Sequence, residues 1–119
     1  MRFDPASLKY DANGLIPCIA QDHVSGEVLM MAWMNAAAVG RTLESGRVTY
    51  WSRSRGAFWV KGETSGHHQR LVELRVDCDR DALLALVEQA GPACHTNRRS
   101  CFYTAVQDGA EVVISEPMV

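Results

Sequence analysis

Residues 71–92 read LVELRVDCDRDALLALVEQAGP, and the way this stretch divides decides the fold. From Leu71 to Cys78 the chain alternates: Val72, Leu74, Val76 and Cys78 fall on one face, and Glu73, Arg75 and Asp77 on the other. That period of two belongs to a half-buried strand. Leu83, Leu84, Leu86, Val87 and Ala90 then follow helical spacing, and Gly91-Pro92 supplies a cap and a ring that cannot continue a helix. A strand followed by a helix is expected, joined through Asp77-Cys78-Asp79-Arg80-Asp81.

Upstream, Ile16–Asp22 and Glu27–Met34 flank a turn-like His23-Val24-Ser25-Gly26 and predict a hairpin, since glycine supplies a positive φ. Asn35 is placed to cap a helix over Ala36–Leu43, with Gly46 just past its end. Val48–Trp51 and Ala57–Val60 predict a second strand pair around Arg55-Gly56. Downstream, Phe102–Val106 and Glu111–Ile114 predict a closing hairpin around Asp108-Gly109. The sum is α+β, mainly antiparallel sheet with two helices. No repeat, linker or low-complexity segment divides the chain, so residues 1–119 are read as one domain.

With 47% hydrophobic residues, 119 residues suffice for one packed core. A net charge of −2 lacks the basic excess that holds a nucleic-acid backbone. Met1–Tyr10 carries charges and no apolar run, and the longest apolar run, Val28–Met34, is too short to span a bilayer. A cytoplasmic protein with neither nucleic acid nor membrane as partner is expected. Its four cysteines then bind metal, react or pack more readily than they form disulfides.

Asp77, Asp79 and Asp81 bring three carboxylates to the strand end. Asp79 could cap the following helix and Asp81 sit in its first turn, but neither role accounts for Asp77. Carboxylates this close repel unless a cation or basic groups lie among them, and hard oxygen ligands suit Mg²⁺. After Gly91-Pro92 comes Ala93-Cys94-His95-Thr96-Asn97-Arg98-Arg99-Ser100-Cys101. A catalytic zinc keeps three protein ligands and one open position, a number that Cys78, Cys94 and Cys101 would meet. Spacing alone leaves inert or redox-active thiols equally open, and Cys78 in phase with Val72, Leu74 and Val76 fits a core residue. His95 and His67 are candidates for proton transfer, because imidazole titrates near neutrality.

Between these segments, Ser52-Arg53-Ser54-Arg55 and Lys61-Gly62-Glu63-Thr64-Ser65-Gly66-His67 combine cations, hydroxyls and glycines, a mixture suited to phosphate. Solvated basic turns would give the same pattern. Trp33, Trp51 and Trp59 could stack on a flat heterocycle or fill the core.

As a set these segments resemble the phosphoribosyl-AMP cyclohydrolase family. The resemblance is carried by Met31-Ala-Trp-Met-Asn35, Tyr50-Trp-Ser-Arg-Ser-Arg55, Trp59-Val-Lys-Gly-Glu-Thr-Ser-Gly-His67, Asp77-Cys-Asp-Arg-Asp81, Gly91-Pro-Ala-Cys-His-Thr96 and Ser100-Cys-Phe102. It implies Mg²⁺ on Asp77, Asp79 and Asp81, and Zn²⁺, one per subunit, on Cys78, Cys94 and Cys101. It also implies an intertwined cytoplasmic homodimer whose zinc site is completed across the interface. The implied reaction adds zinc-activated water to an adenine ring substituted at N1 and N9, opening the N1–C6 bond in a step of L-histidine biosynthesis. On that basis His95, then His67, handles the proton, and Trp33, Ser52, Arg53, Arg55, Lys61, Ser65 and Gly66 meet the substrate. Asn97 stands where the family commonly has glycine; if a left-handed backbone is needed there, Asn is the best-tolerated replacement. With the chain ending at Val119, the second, pyrophosphohydrolase domain of some members is not expected. Two rival readings are a non-enzymatic zinc module with a closed set of four ligands, and a thiol redox protein in which Cys94 and Cys101 cycle.

Overall fold

The first strand, β1 (Ile16–Asp22), alternates buried and less buried residues, and β2 (Val28–Met34) pairs with it antiparallel, Ile16 opposite Met34. The turn between them is made by Asp22, whose Oδ2 accepts from the backbone N–H groups of Val24 (3.1 Å) and Ser25 (2.8 Å), and by Gly26 at φ +78°. A helix, α1 (Ala36–Ser45), follows, and both of its ends have a physical cause. Asn35 Oδ1 accepts from Ala38 N at 2.8 Å, and Gly46 closes the last turn at φ +73°. Buried Thr42 ties α1 to the next strand, its Oγ1 donating to Ala38 O and accepting from Thr49 N at 2.9 Å. The coordinates are a computed structural model that describes residues 2–118; Met1 and Val119, the ends of the expected domain, lie outside the described residues.

A short hairpin, β3 (Thr49–Ser52) and β4 (Ala57–Val60), pairs Tyr50 with Trp59 and turns at Gly56. Next come β5 (Gln69–Val76) and β6 (Leu83–Gln89), antiparallel to each other, while β6 also runs parallel to β1 with Cys18 opposite Leu83. The main sheet thus has the order β2-β1-β6-β5. Ile16, Cys18, Leu83, Ala85 and Val87 from its centre meet Ala38, Val39 and Tyr50 in the core. A last hairpin, β7 (Thr104–Gln107) and β8 (Ala110–Val113), turns through Asp108 and Gly109, both at positive φ as a two-residue turn of this kind requires.

The α+β class is thereby met, with mainly antiparallel pairing, but among the described residues with one α-helix and not two. The predicted helix over residues 83–90 is the strand β6, in which Leu83, Ala85, Val87 and Gln89 are buried and Leu84 and Leu86 half-buried. Leu84 and Leu86 add half-buried apolar residues between the buried positions of β6, and such a run satisfies helical and extended periodicities alike. Asp79 and Asp81 consequently have no helix to cap. Gly91, at φ +70°, ends a strand.

The second departure lies in β5. The expected face of Val72, Leu74, Val76 and Cys78 is broken by a register shift between Leu71 and Glu73, which turns Val72 out to 45% exposure. Leu74 and Val76 still pack on the core, and Cys78 is exposed. Among the described residues, no helix is long and apolar enough to cross a membrane.

Candidate functional site

The segment after β6 folds back on itself to bring two thiols together. Ala93 N donates to Arg99 O (3.0 Å), Cys94 N to Arg98 O (3.1 Å) and Asn97 N to Cys94 O (3.0 Å), closing a loop with Asn97 in the left-handed region at φ +64°. Asparagine thus supplies the conformation for which glycine is usual. The loop is fastened to β2 through Cys101 N on Leu29 O (2.7 Å) and Ser100 Oγ on Val28 O (2.7 Å). Cys94 is buried, and Thr96 Oγ1 donates to its sulfur at 3.1 Å. Burial opposes ionisation of Cys94, yet the Thr96 hydroxyl and backbone, the Cys101 thiol and the Lys61 charge together hold it below the ordinary thiol value. Burial, and then the charge and hydrogen bonding of Cys94, push Cys101 up to about 11. The pair therefore ionises first at Cys94.

Lys61 reaches this loop from the end of β4, its Nζ donating to Ala93 O at 2.5 Å. Burial lowers the Lys61 pKa, while Cys101 and Cys94 counter it. His67 approaches from the other side: a Cβ built on Gly91 would fall 2.9 Å from His67 Cδ2, so the imidazole lies on the Gly91 backbone. His95, beside Cys94, is exposed.

At the β5–β6 turn, Asp77 Oδ1 accepts from Asp81 N (2.9 Å) and Ala82 N (3.1 Å), and one oxygen each of Asp77, Asp79 and Asp81 lie within 4.8 Å of one another. Hydrogen bonding with Asp79 and Asp77, and their repulsion, push Asp81 up to about 6. Such an oxygen triad fits a hard divalent cation. Arg80 sits at φ +67° with its side chain turned away from the carboxylates, Nη2 donating to Ser7 Oγ at 2.7 Å. Cys78 lies in this turn, at one end of β6, whereas Cys94 follows the other end. Among the described residues the sulfurs of Cys78, Cys94 and Cys101 do not gather into one metal-sized group, whereas oxygens of the three aspartates do. Within one chain the sulfurs of Cys94 and Cys101 meet, and that of Cys78 stays with the aspartates.

The remaining expected residues line two depressions that share Trp59. One, of about 730 Å³, is bounded by Met31, Trp33, Trp51, Ser52, Arg53 and Trp59, with the Arg53 guanidinium 4.9 Å from the Trp33 ring centroid. The other, of about 240 Å³, is bounded by Arg55, Trp59, Lys61, Gly62 and Ser65, with Gly66 at φ +81° beside it. Trp33, Trp51 and Trp59 are half-buried walls of the first depression, and Trp59 also packs on the core, its ring centroid 4.8 Å from that of Tyr50. Lys61 joins the second depression to the thiol loop.

Two residues that the sequence did not single out hold this arrangement. Arg99 Nη1 donates to Gln89 O and Gly91 O, both at 3.0 Å, and its Nη2 to Asp22 Oδ1 at 2.9 Å. The only cue was the Arg98-Arg99 pair inside a cysteine-bearing loop. The Ser25 backbone N–H, above all, with Val24 and Arg99, holds Asp22 below the usual carboxylate range against the cost of burial. A depressed carboxyl contributes stability above its ordinary pKa of 3.8 and loses it as pH falls through the lower folded value. Asp22→Asn is therefore expected to cost about 1–3 kcal/mol at pH 7 and to flatten the acid side of the stability curve, read by urea unfolding between pH 3 and 7. An acid limb as steep as that of the unmodified chain would contradict this.

Comparison with known proteins puts the chain among hydrolases. A family model described as phosphoribosyl-AMP cyclohydrolase matches residues 30–103. Proteins of that name are 77% identical in Cereibacter sphaeroides (strain KD131 / KCTC 12085), over 119 residues and the whole of both chains, and 81% identical in Paracoccus denitrificans (strain Pd 1222), over 97% of this chain and 95% of that one. A third, from Ruegeria pomeroyi, is 74% identical over the whole of both chains. The chain belongs to the phosphoribosyl-AMP cyclohydrolase family.

Proposed function

We propose that the chain hydrolyses the N1–C6 bond of the adenine ring of 1-(5-phosphoribosyl)-AMP, giving the phosphoribosyl-formimino-aminoimidazole carboxamide ribotide of L-histidine biosynthesis, as a cytoplasmic homodimer. The observation that carries this reading is the meeting of Cys94 and Cys101 beside Lys61 and His67, at the end of an aromatic and basic groove, in a chain of this family.

Cys94 and Cys101 of one protomer with Cys78 of a second would hold zinc, and Asp77, Asp79 and Asp81 would hold Mg²⁺. The donor sets fit: thiols for the softer ion, carboxylates for the harder one. Bound zinc supplies Lewis acidity that lowers the pKa of a water. What supports a second protomer is that, among the described residues, Cys78 does not fall into one metal-sized group with Cys94 and Cys101. Exposed Val106 (75%), Val113 and Ile114 on the β7–β8 arm, and Met31 on the main sheet, offer apolar surface for that association.

Each remaining residue has a task matched to its position. Trp33 offers a ring face to the purine, while Arg53, Arg55 and Ser52 at the β3–β4 turn present donors for phosphate oxygens, with Ser65 and the open backbone of Gly66 nearby. Lys61 places its charge beside the sulfurs and favours thiolate. His95 and His67 are the groups able to move a proton, His67 the better held of the two.

Protein purified without chelators is expected to carry one zinc per chain and to open the ring in an absorbance assay. Metal without turnover would support a purely structural zinc module, and a reversible Cys94–Cys101 disulfide without metal a redox protein. Arg53→Ala is expected to raise KM about tenfold through the loss of one charge-assisted contact. Unchanged KM and kcat would remove Arg53 from the phosphate site.

A further inference from the structure

The inward positions of β6 are apolar at Leu83, Ala85 and Val87, yet the next, Gln89, is a carboxamide only 6% exposed. Its Nε2 donates to the carbonyls of His67 (3.1 Å), Ala90 (3.2 Å) and Pro92 (3.4 Å). Opposite it in register on β5, Gln69 is fully buried, and its Oε1 accepts from the Tyr50 hydroxyl at 2.8 Å. The other amide atoms of the pair, Gln69 Nε2 and Gln89 Oε1, are buried without a partner. A methionine or leucine would fill this space but leave the carbonyls served by Nε2 without that donor, so packing alone does not account for the residue type.

Geometry does. A single amide nitrogen spans His67, which carries an imidazole, and Pro92, two residues before Cys94. Gly91 lies between them with its backbone against the His67 ring. We propose that Gln89 is a positioning residue: by binding the His67 and Pro92 carbonyls on one amide, it sets the imidazole of His67 against the Cys94–Cys101 loop. Gln89 acts through the backbone at both ends of this link. The proposal rests on the reading of the thiols and His67 as the reacting centre.

The test compares the zinc-loaded dimers of Gln89→Met and of the unmodified chain. Gln89→Met keeps length and shape, removes the donor and also removes the unmet oxygen. The expected result is a kcat about tenfold lower, KM within about twofold, one zinc per chain retained and a melting temperature lowered by no more than a few degrees. Should that variant fail to fold, Gln89→Asn serves instead: it keeps the carboxamide but is one methylene too short to span both carbonyls. An unchanged kcat in the folded variant overturns the proposal, as does a kcat loss that merely follows a loss of bound zinc. His67→Asn is measured in parallel. If its kcat is unchanged while that of Gln89→Met falls, His67 drops out of the reaction and the proposal, which works through its imidazole, is overturned. A fall in His67→Asn alone overturns the role of Gln89 and leaves the reading of the site intact.

Discussion

Gly62→Ala is expected to lose about 3 kcal/mol or more of folding stability, a large share of what a domain of this size holds. Gly62 sits at φ +84°, and a Cβ there would fall 2.4 Å from both His67 C and His68 N. Those atoms are backbone, so no side-chain rotation relieves the collision. The segment that would have to move carries His67 and leads into Gln69, a fully buried member of β5. Gly46→Ala is the control. Its φ is +73°, with nothing within 4 Å of the new atom, so it should show only the conformational penalty of about 1–2 kcal/mol. Urea midpoints for the two variants give the comparison, and equal losses would mean that the close approach at residue 62 is relieved at little cost.

The second large effect belongs to chemistry. Cys94→Ser and Cys101→Ser are each expected to abolish stoichiometric zinc and to lower the ring-opening rate by a factor of about 1000 or more, because a serine hydroxyl does not replace a thiolate ligand. Cys18→Ser supplies the contrast. That thiol is fully buried in the apolar core, where burial pushes its pKa up to about 12. Its replacement should reduce stability and leave zinc near one per chain. Metal analysis of all three variants is the measurement, and full zinc in Cys94→Ser would remove the thiol pair as a metal site.

The parts legible in the sequence were those governed by local chemistry. Asn35 and Gly46 set the ends of α1, Gly26 and Asp108-Gly109 set hairpin turns, and Asn97 was identified as able to hold a left-handed backbone. The chemistry-bearing segments were legible too, because Asp77-Asp79-Asp81 and Cys94-Cys101 cluster along the chain. Contributions from distant segments were not. Residues 83–87 are apolar at every position, and only the assembled sheet, with β1 and β5 bonded to the two edges, chooses strand over helix. That choice alters the reach of the candidate ligands: seven helical residues rise about 10 Å, and seven extended ones about 20 Å. The two ends of this run therefore lie farther apart than a helical reading allows. The bulge at Val72, the Arg99–Asp22 bridge and the amide of Gln89 likewise join residues that no spacing relates.

The parallel pairing of Cys18 with Leu83 fixes the order in which the sheet can be completed. During synthesis the β1–β2 hairpin can close early, yet the inner edge of β1 keeps its amides and carbonyls unpaired until Leu83–Gln89 has emerged. Collapse of this chain is thus governed by closure of a long intervening loop, a topology that slows folding and leaves a sticky strand edge open to chaperones or to misassociation in the meantime.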